Sequence, residues 1–260
     1  MDFYKILNKE ECHHDLQYKT GLNIDSLEFY PHGDCEPGGI YFSREDILDF
    51  LHYGPWIRKV TLPEDAKIYE NPKGPRKWKA DKVILGEREK ITFEVIKRLI
   101  DEGADPTVDD SFPLRWAAMN GQLEIVKLLL PFSNIKAYNS EALRWAAKYG
   151  HTEIVKLLIP FSDCEAYNSE ALKLAIYEKY VETKLEKISL PKDKEKLIIN
   201  KYTEIIKLLI PVSKIDTNII NFYKAYCDNQ ELLDLIIVNK NTLFHNFLRS
   251  IKNKLFKIFK

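Results

Sequence analysis

Apolar positions in the second half of the chain fall into two alternating groupings. One is short and alanine-rich, LRWAAMNG from Leu114 and LRWAAKYG from Leu143. The other is a denser apolar run closed by proline, LEIVKLLLP from Leu123 and TEIVKLLIP from Thr152. Alanine content and the lack of internal proline or glycine predict a helix for each. Gly121 and Gly150 separate the two and permit a left-handed turn. Asn139 or Ser140, the latter leading into Glu141, offers an N-cap to the first helix, and Thr152 to the second. Ile154, Val155, Leu157, Leu158 and Ile159 exceed one stripe, so the second helix is expected to be mostly buried. Pro160 then ends it. Before residue 90 the texture differs. Short runs at Asp2–Leu7, Gly39–Ser43, Ile57–Leu62, Lys67–Glu70 and Asp81–Leu85 predict strands. Ser43 to Asp46, followed by Ile47, Leu48, Phe50 and Leu51, predicts a capped amphipathic helix. Seven of the ten glycines lie in this region, so it reads as an α+β domain rather than more helix.

The two groupings recur. Leu114 and Leu143 stand 29 residues apart, and LKLAIYEKY begins another 29 on, at Leu172. The proline-closed run returns as TEIIKLLIPVS at Thr203. Thr152 and Thr203 are 51 apart, so 22 extra residues enter near 181–202. They predict a lengthened first helix, a turn at Ser189–Asp193 and a lengthened second helix. A degenerate pair, Asn218–Cys227 and Gln230–Val238, follows. A fixed period of this size means stacked units, because one helix pair cannot bury its own apolar face.

These residues resemble the ankyrin repeat. Pro113-Leu114, Ala117-Ala118, Gly121 and Glu124–Leu130 match its pattern in one copy. Leu143, Ala146-Ala147, Gly150-His151 and Glu153–Ile159 match it in the next. Upstream, EVIKRLIDEGADPTVDD (Glu94–Asp110) resembles the family's second helix and hairpin. The layout is similar to that of the ankyrin-repeat proteins of giant DNA viruses (mimivirus-like), whose N-terminal part shares GLN, CEPGGIYFS, VTLPEDAKIY and KWKADKVIL with this chain. The resemblance implies a mostly α chain: an ankyrin-type α-solenoid over 91–240, after a small α+β domain at 1–90 of unknown role. It implies a non-catalytic module that engages a host or viral protein on the concave repeat face. By the family's geometry Trp116, Met119, Asn120, Trp145, Lys148 and Tyr149 lie on or beside that face. The tryptophans either anchor a partner or pack between helices. Arg115 and Arg144 stand where the family has His; they either hold an acidic partner or pair with nearby carboxylates. Pro-Phe-Ser replaces the family's Gly-Ala-Asp, so the later hairpins are expected to be plain loops.

Composition narrows the function. Hydrophobic residues make up 45% and charged residues 30%, as in globular proteins. Lys+Arg 39 against Asp+Glu 39 leaves no surplus for general nucleic-acid binding. Four unpatterned cysteines suit a reducing compartment. MDFYKILNKEE lacks a signal pattern, and no apolar run is long enough to span a membrane. The expected location is intracellular, the host cytoplasm. Residues 241–260 carry five basic residues and no acid. Phe244, Phe247, Leu248, Ile251, Leu255 and Ile258 form one stripe there, read as a capping helix; the alternative is docking on an anionic membrane surface. The basic run Lys73–Lys82, with Trp78 inside it, reads as a solvated face or a phosphate contact.

The competing class is an enzyme in the first 90 residues, with the repeats recruiting its substrate. Cys12, His13, His14, His32 and Cys35 could hold a metal, although adjacent Cys-His departs from usual ligand spacing. An ADP-ribosyl-transfer fold would use His13 or His14, Gly21-Leu22 and the Tyr41 strand. No catalytic Glu is placed, and no P-loop, dinucleotide or Ser/His/Asp pattern is present. The plainer reading makes Gly38-Gly39 a turn before a buried strand, with no catalytic residue, metal or cofactor.

Overall fold

The computed structural model describes residues 1–13, 15–32, 36–71, 74–186, 192–226 and 229–239, with the backbone alone over 183–186, 192–199 and 238–239. The chain divides into two compact units. The first is Met1–Trp116 with Lys127–Ser133, and the second is Ala117–Val126 with Asn134–Lys260.

The first unit is built on antiparallel sheets. A four-stranded sheet runs β1 (Phe3–Leu7), β6 (Trp56–Thr61), β9 (Lys82–Lys90), β4 (Gly21–Ile24). A three-stranded sheet runs β5 (Ile40–Phe42), β8 (Trp78–Ala80), β7 (Ile68–Glu70). β2 (Cys12–His13) and β3 (Leu16–Gln17) form a small hairpin. Alternation drives the packing. Leu7, Val60, Val83 and Leu85 from the larger sheet meet Ile40, Phe42 and Ala80 from the smaller, and Phe3 and Trp78 seal the margin. A bridge between Tyr4 and Ser43 links the two sheets.

The expected strands form, and four more appear: β2, β3, β4 and β8. β8 corrects the reading of the basic run as a solvated face. Lys77 and Lys79 are 5% and 0% exposed; Lys79, on β8, donates to the Tyr30 and Pro37 carbonyls and lies 5.0 Å from the Tyr41 ring. The expected α-helix at Ser43–Leu51 is instead a 3-10 helix, Ile47–Tyr53. Its capping groups are used elsewhere. The Ser43 hydroxyl donates to the Arg76 carbonyl (2.6 Å), and the Asp46 carboxylate accepts from the Arg76 N–H (2.6 Å).

Helix α1 (Phe93–Asp101) follows β9. Thr92 caps it by accepting from the Val95 N–H, and Val95, Ile96 and Leu99 are its buried face. The Tyr4 hydroxyl donates to Glu102 (2.8 Å), and the Asp105 N–H donates to the Glu45 carbonyl (2.7 Å). α1 is therefore tied to the sheets.

Helices α2 (Val108–Met119) and α3 (Leu123–Leu129) carry the first full copy of the repeat. The second unit continues with α4 (Ala137–Lys148), α5 (Thr152–Leu158), α6 (Ala166–Glu186), α7 (Lys192–Leu209), α8 (Thr217–Tyr226) and α9 (Gln230–Asn239). α4 packs on α5 and α6, α6 on α7 and α8, and α8 on α9. Ala146, Ala147 and Ala175 are fully buried, so helix backbones approach closely. Ile154, Val155 and Leu158 of α5 recur as fully buried Ile205, Ile206 and Leu209 of α7, at the 51-residue offset. Pro160 and Pro211 end these helices in single 3-10 turns, Ile159–Phe161 and Ile210–Val212. The insertion lengthens α6 and α7 as expected. Its turn at Ser189–Asp193 falls largely outside the described residues, as does the expected capping helix at 241–260.

The caps differ from expectation. Thr152 lies inside α5, and the residue before it, His151, makes no side-chain cap bond. Ser140 does not cap its own helix either. Asp109–Ser111, Tyr138–Ser140 and Tyr167–Ser169 each adopt three successive positive φ values, from 47° to 68°. Three left-handed residues in a row are costly for side chains with a Cβ. Tertiary bonds hold them. The Ser140 hydroxyl accepts from the Asp163 N–H (2.7 Å), and the Ser169 hydroxyl accepts from the Lys214 N–H (2.9 Å), with both serines fully buried.

This conformation reverses an ordinary rule. Glycine in a helical span usually destabilises. At Asn139 (φ 57°) and Asn168 (φ 56°) it relieves the left-handed penalty. Asn139→Gly and Asn168→Gly are each expected to stabilise the second unit by about 1 kcal/mol. Urea unfolding checks this. A destabilisation of that size would mean that the segment is an ordinary right-handed turn.

Candidate functional site

The end of α4 holds the largest share of the expected face. Leu143, Ala146 and Ala147 face inward and are buried. Helical spacing then sends Trp145, Lys148 and Tyr149 outward together. The Trp145 and Tyr149 rings stack at 5.8 Å with an interplanar angle of 15°. Lys148 Nζ lies 5.1 Å from the Trp145 ring and 5.6 Å from the Tyr149 ring. Tyr149 is exposed, and Trp145 and Lys148 are half-buried. Cation–π contact and stacking hold the three as one rigid group, which lowers the entropy lost on binding.

Met119 and Asn120 occupy the equivalent end of α2; Met119 is half-buried and Asn120 exposed. His151 Nε2 donates to the Met119 carbonyl (3.0 Å). In the third copy the same positions are Leu174, Tyr177 and Glu178. Tyr177 is exposed and meets Tyr226 edge-on at 5.7 Å; Tyr180 and Phe222 approach the same Tyr226 ring. Burial raises the Glu178 carboxyl above its ordinary value, against the pull of Lys148. Sequence reasoning missed this continuation, although adding 29 to Lys148 and Tyr149 points directly to Tyr177 and Glu178.

Trp116 and Arg115 belong to the first unit. Trp116 is half-buried. Arg115 is 8% exposed and donates to the Asp109 carbonyl and carboxylate (2.6 Å each). Arg144 donates to the Tyr138 carbonyl (2.9 Å) and the Asn139 carbonyl (3.3 Å), pairs with Glu170, and lies 4.9 Å from the Tyr167 ring. Each arginine thus satisfies carbonyls of the left-handed turn before its own helix. A planar, multi-donor guanidinium suits that task.

Of the Cys/His set, Cys12, His13 and His32 are described. Cys12 and His13 sit on β2, opposite Gln17 and Leu16. His32 lies edge-on to Tyr30 and Tyr69. His14 and Cys35 are outside the described residues. Among those described, no group of three or more His, Cys, Asp or Glu could hold a metal ion. His13 and Tyr41 do share a cavity, but its described lining includes no Asp or Glu to act as acid or base. Cys164 is buried, and burial pushes its thiol up to about 12, so it is a poor nucleophile.

A family model for ankyrin repeats (3 copies) matches residues 88–169. Relatives come from Acanthamoeba polyphaga mimivirus. One described as an ankyrin repeat protein is 45% identical over 123 residues, 44% of this chain and 40% of the relative. A second, described as uncharacterized, is 38% identical over 49% of this chain and 96% of its own length. A third, again described as an ankyrin repeat protein, is 35% identical over 54% of this chain and 71% of its own length. The chain spans two fifths of the first of these and most of the other two. It belongs to the ankyrin-repeat proteins.

Proposed function

We propose that the chain is a non-catalytic protein-binding module that engages a host or viral protein through a concave face of stacked repeats. In this reading an α-solenoid over 91–240 presents Trp116, Met119, Asn120, Trp145, Lys148 and Tyr149, and 1–90 forms a second module. The observation that carries the reading is the Trp145–Lys148–Tyr149 group. Large, rigid, partly exposed aromatics beside a cation are the chemistry of interface hot spots. Arg115 and Arg144 shape the face by fixing the turns beneath it. The balanced charge favours a protein over nucleic acid as partner. Among the described residues no helix is long and apolar enough to cross a membrane. The proposed location is the host cytoplasm, where cysteines such as Cys12 and Cys164 stay reduced.

Trp145→Ala combined with Tyr149→Ala is expected to weaken capture of a discrete protein from host-cell extract by at least about 30-fold, with circular dichroism unchanged. Undiminished capture by the folded variant would remove this face from the reading. Loss of helix content would make Trp145 a packing residue instead.

A further inference from the structure

The aromatic group at the end of α4 continues through the second unit as a band of rings. α4 packs on α6, and α6 on α8. Tyr177 occupies on α6 the repeat position that Lys148 holds on α4. Lys148 also acts on the neighbouring Glu178 carboxyl, so the two helix ends are close. Tyr177 then meets Tyr226 of α8 edge-on, and Tyr226 is fixed in turn by Tyr180 at 5.2 Å and Phe222 at 4.7 Å. Trp145 and Tyr149, then Tyr177, then Tyr226 thus carry aromatic surface across three first helices of the repeat. Tyr149 and Tyr177 are 42% and 43% exposed.

Spacing, hydrogen bonding and charge together define what such a band fits. Packed helices lie about 8–10 Å apart. A polyproline II segment advances about 3.1 Å per residue, so every third residue recurs at about 9 Å. Laid across α4, α6 and α8, it brings one turn to each helix. Its carbonyls are unused by internal bonds, and its prolines have no N–H. Exposed tyrosine hydroxyls can donate to those carbonyls, and ring faces can stack on the pyrrolidines. Around Glu178 the charges of Lys148 and Lys201 stand against those of Glu178 and Glu182, so neither an acidic nor a basic segment is favoured. We infer, building on the protein-binding reading, that the band takes a proline-rich segment of the partner in polyproline II conformation. Prolines lie against Trp145, Tyr149 and Tyr177, and backbone carbonyls accept from the tyrosine hydroxyls. Rings already held by their neighbours and a segment already extended lose little freedom on association.

Decaproline is the probe, with a Gly-Ser peptide of equal length as the flexible control. In NMR of the full chain, decaproline is expected to shift the Trp145 indole N–H and the Tyr149 and Tyr177 amides as one saturable set. The Gly-Ser peptide is expected to bind at least about tenfold more weakly, because binding must order it. Tyr177→Ala is expected to lower decaproline affinity about tenfold, and Tyr177→Phe, which keeps the ring and loses the hydroxyl, about threefold. Equal binding of the two peptides, unchanged affinity in both Tyr177 variants, or no saturable shift at millimolar peptide would each overturn the inference. Loss of host-protein capture in the Trp145/Tyr149 variant while decaproline stays silent would overturn it too, and would leave the protein-binding reading in place. Should Tyr177→Ala fail to fold, Tyr177→Phe and the shift map of the unaltered chain decide.

Discussion

Replacing Glu11 by Gln is expected to cost the first unit about 3 kcal/mol, since breaking a buried ion pair leaves its partner charge uncompensated. Arg58 Nε donates to Glu11 Oε1 (2.8 Å) and Arg58 Nη2 to Oε2 (3.2 Å), and Arg88 approaches the same carboxylate at 3.4 Å. The Glu11 and Arg58 side chains are only 10% and 5% exposed. Arg58 also donates to Thr20 Oγ1 (3.0 Å) and the Gly86 carbonyl (2.7 Å). One guanidinium thus ties the segment before β2 to β6 and β9. The hydrogen bonds from Arg58 hold the Glu11 carboxyl below its ordinary value despite burial. A depressed carboxylate contributes stability that is present above the unfolded value, about 4.3 for Glu. That contribution is lost as pH falls through the lower folded value. Amide-exchange protection of β6 and β9 should therefore fall with acid in the parent chain. In Glu11→Gln it should start lower and lack this part of the slope. An unchanged slope would show that Glu11 is not the titrating group.

Gly121→Ala is expected to cost about 3 kcal/mol, from left-handed strain plus a steric clash. Gly121 has φ 69°. A Cβ there would sit 2.6 Å from His151 Cε1 and 2.8 Å from Nδ1. The imidazole cannot retreat freely, because it is held by its bond to the Met119 carbonyl. Gly150, one period later, has φ 75°, and its Cβ would meet the end of the Lys201 side chain. That flexible chain can swing aside, so Gly150→Ala should cost about 1 kcal/mol, the backbone strain alone. Thermal unfolding of the two variants compares them directly. Equal costs would mean that the His151 ring yields as readily as a lysine tail.

The candidate face was legible in part. Trp145, Lys148 and Tyr149 follow from the repeat register, and their outward direction follows from the burial of Leu143, Ala146 and Ala147. Pairing of Arg115 and Arg144 with nearby carboxylates was one of the two readings and forms with Asp109 and Glu170; their bonds to backbone carbonyls were not legible. Their acceptors are carbonyls of a left-handed turn that no local propensity favours, so two arginines in register read equally well as a binding ladder. The buried lysines were hidden for a similar reason. A KWK run looks solvated until a neighbouring strand and its tyrosine cover it.

From the sequence alone came the period, the helix pairs, the proline stops and the apolar sets that recur as Ile154–Val155–Leu158 and Ile205–Ile206–Leu209. These depend on contacts a few residues apart and on repetition, both of which a linear pattern records. The tertiary structure alone decided the left-handed turns, the extra strands, the Glu11–Arg58 pair across 47 residues of chain and the burial of Lys77 and Lys79. Each of those rests on groups far apart in sequence, where one partner's hydrogen bond or ring face offsets a cost that the isolated segment could not bear.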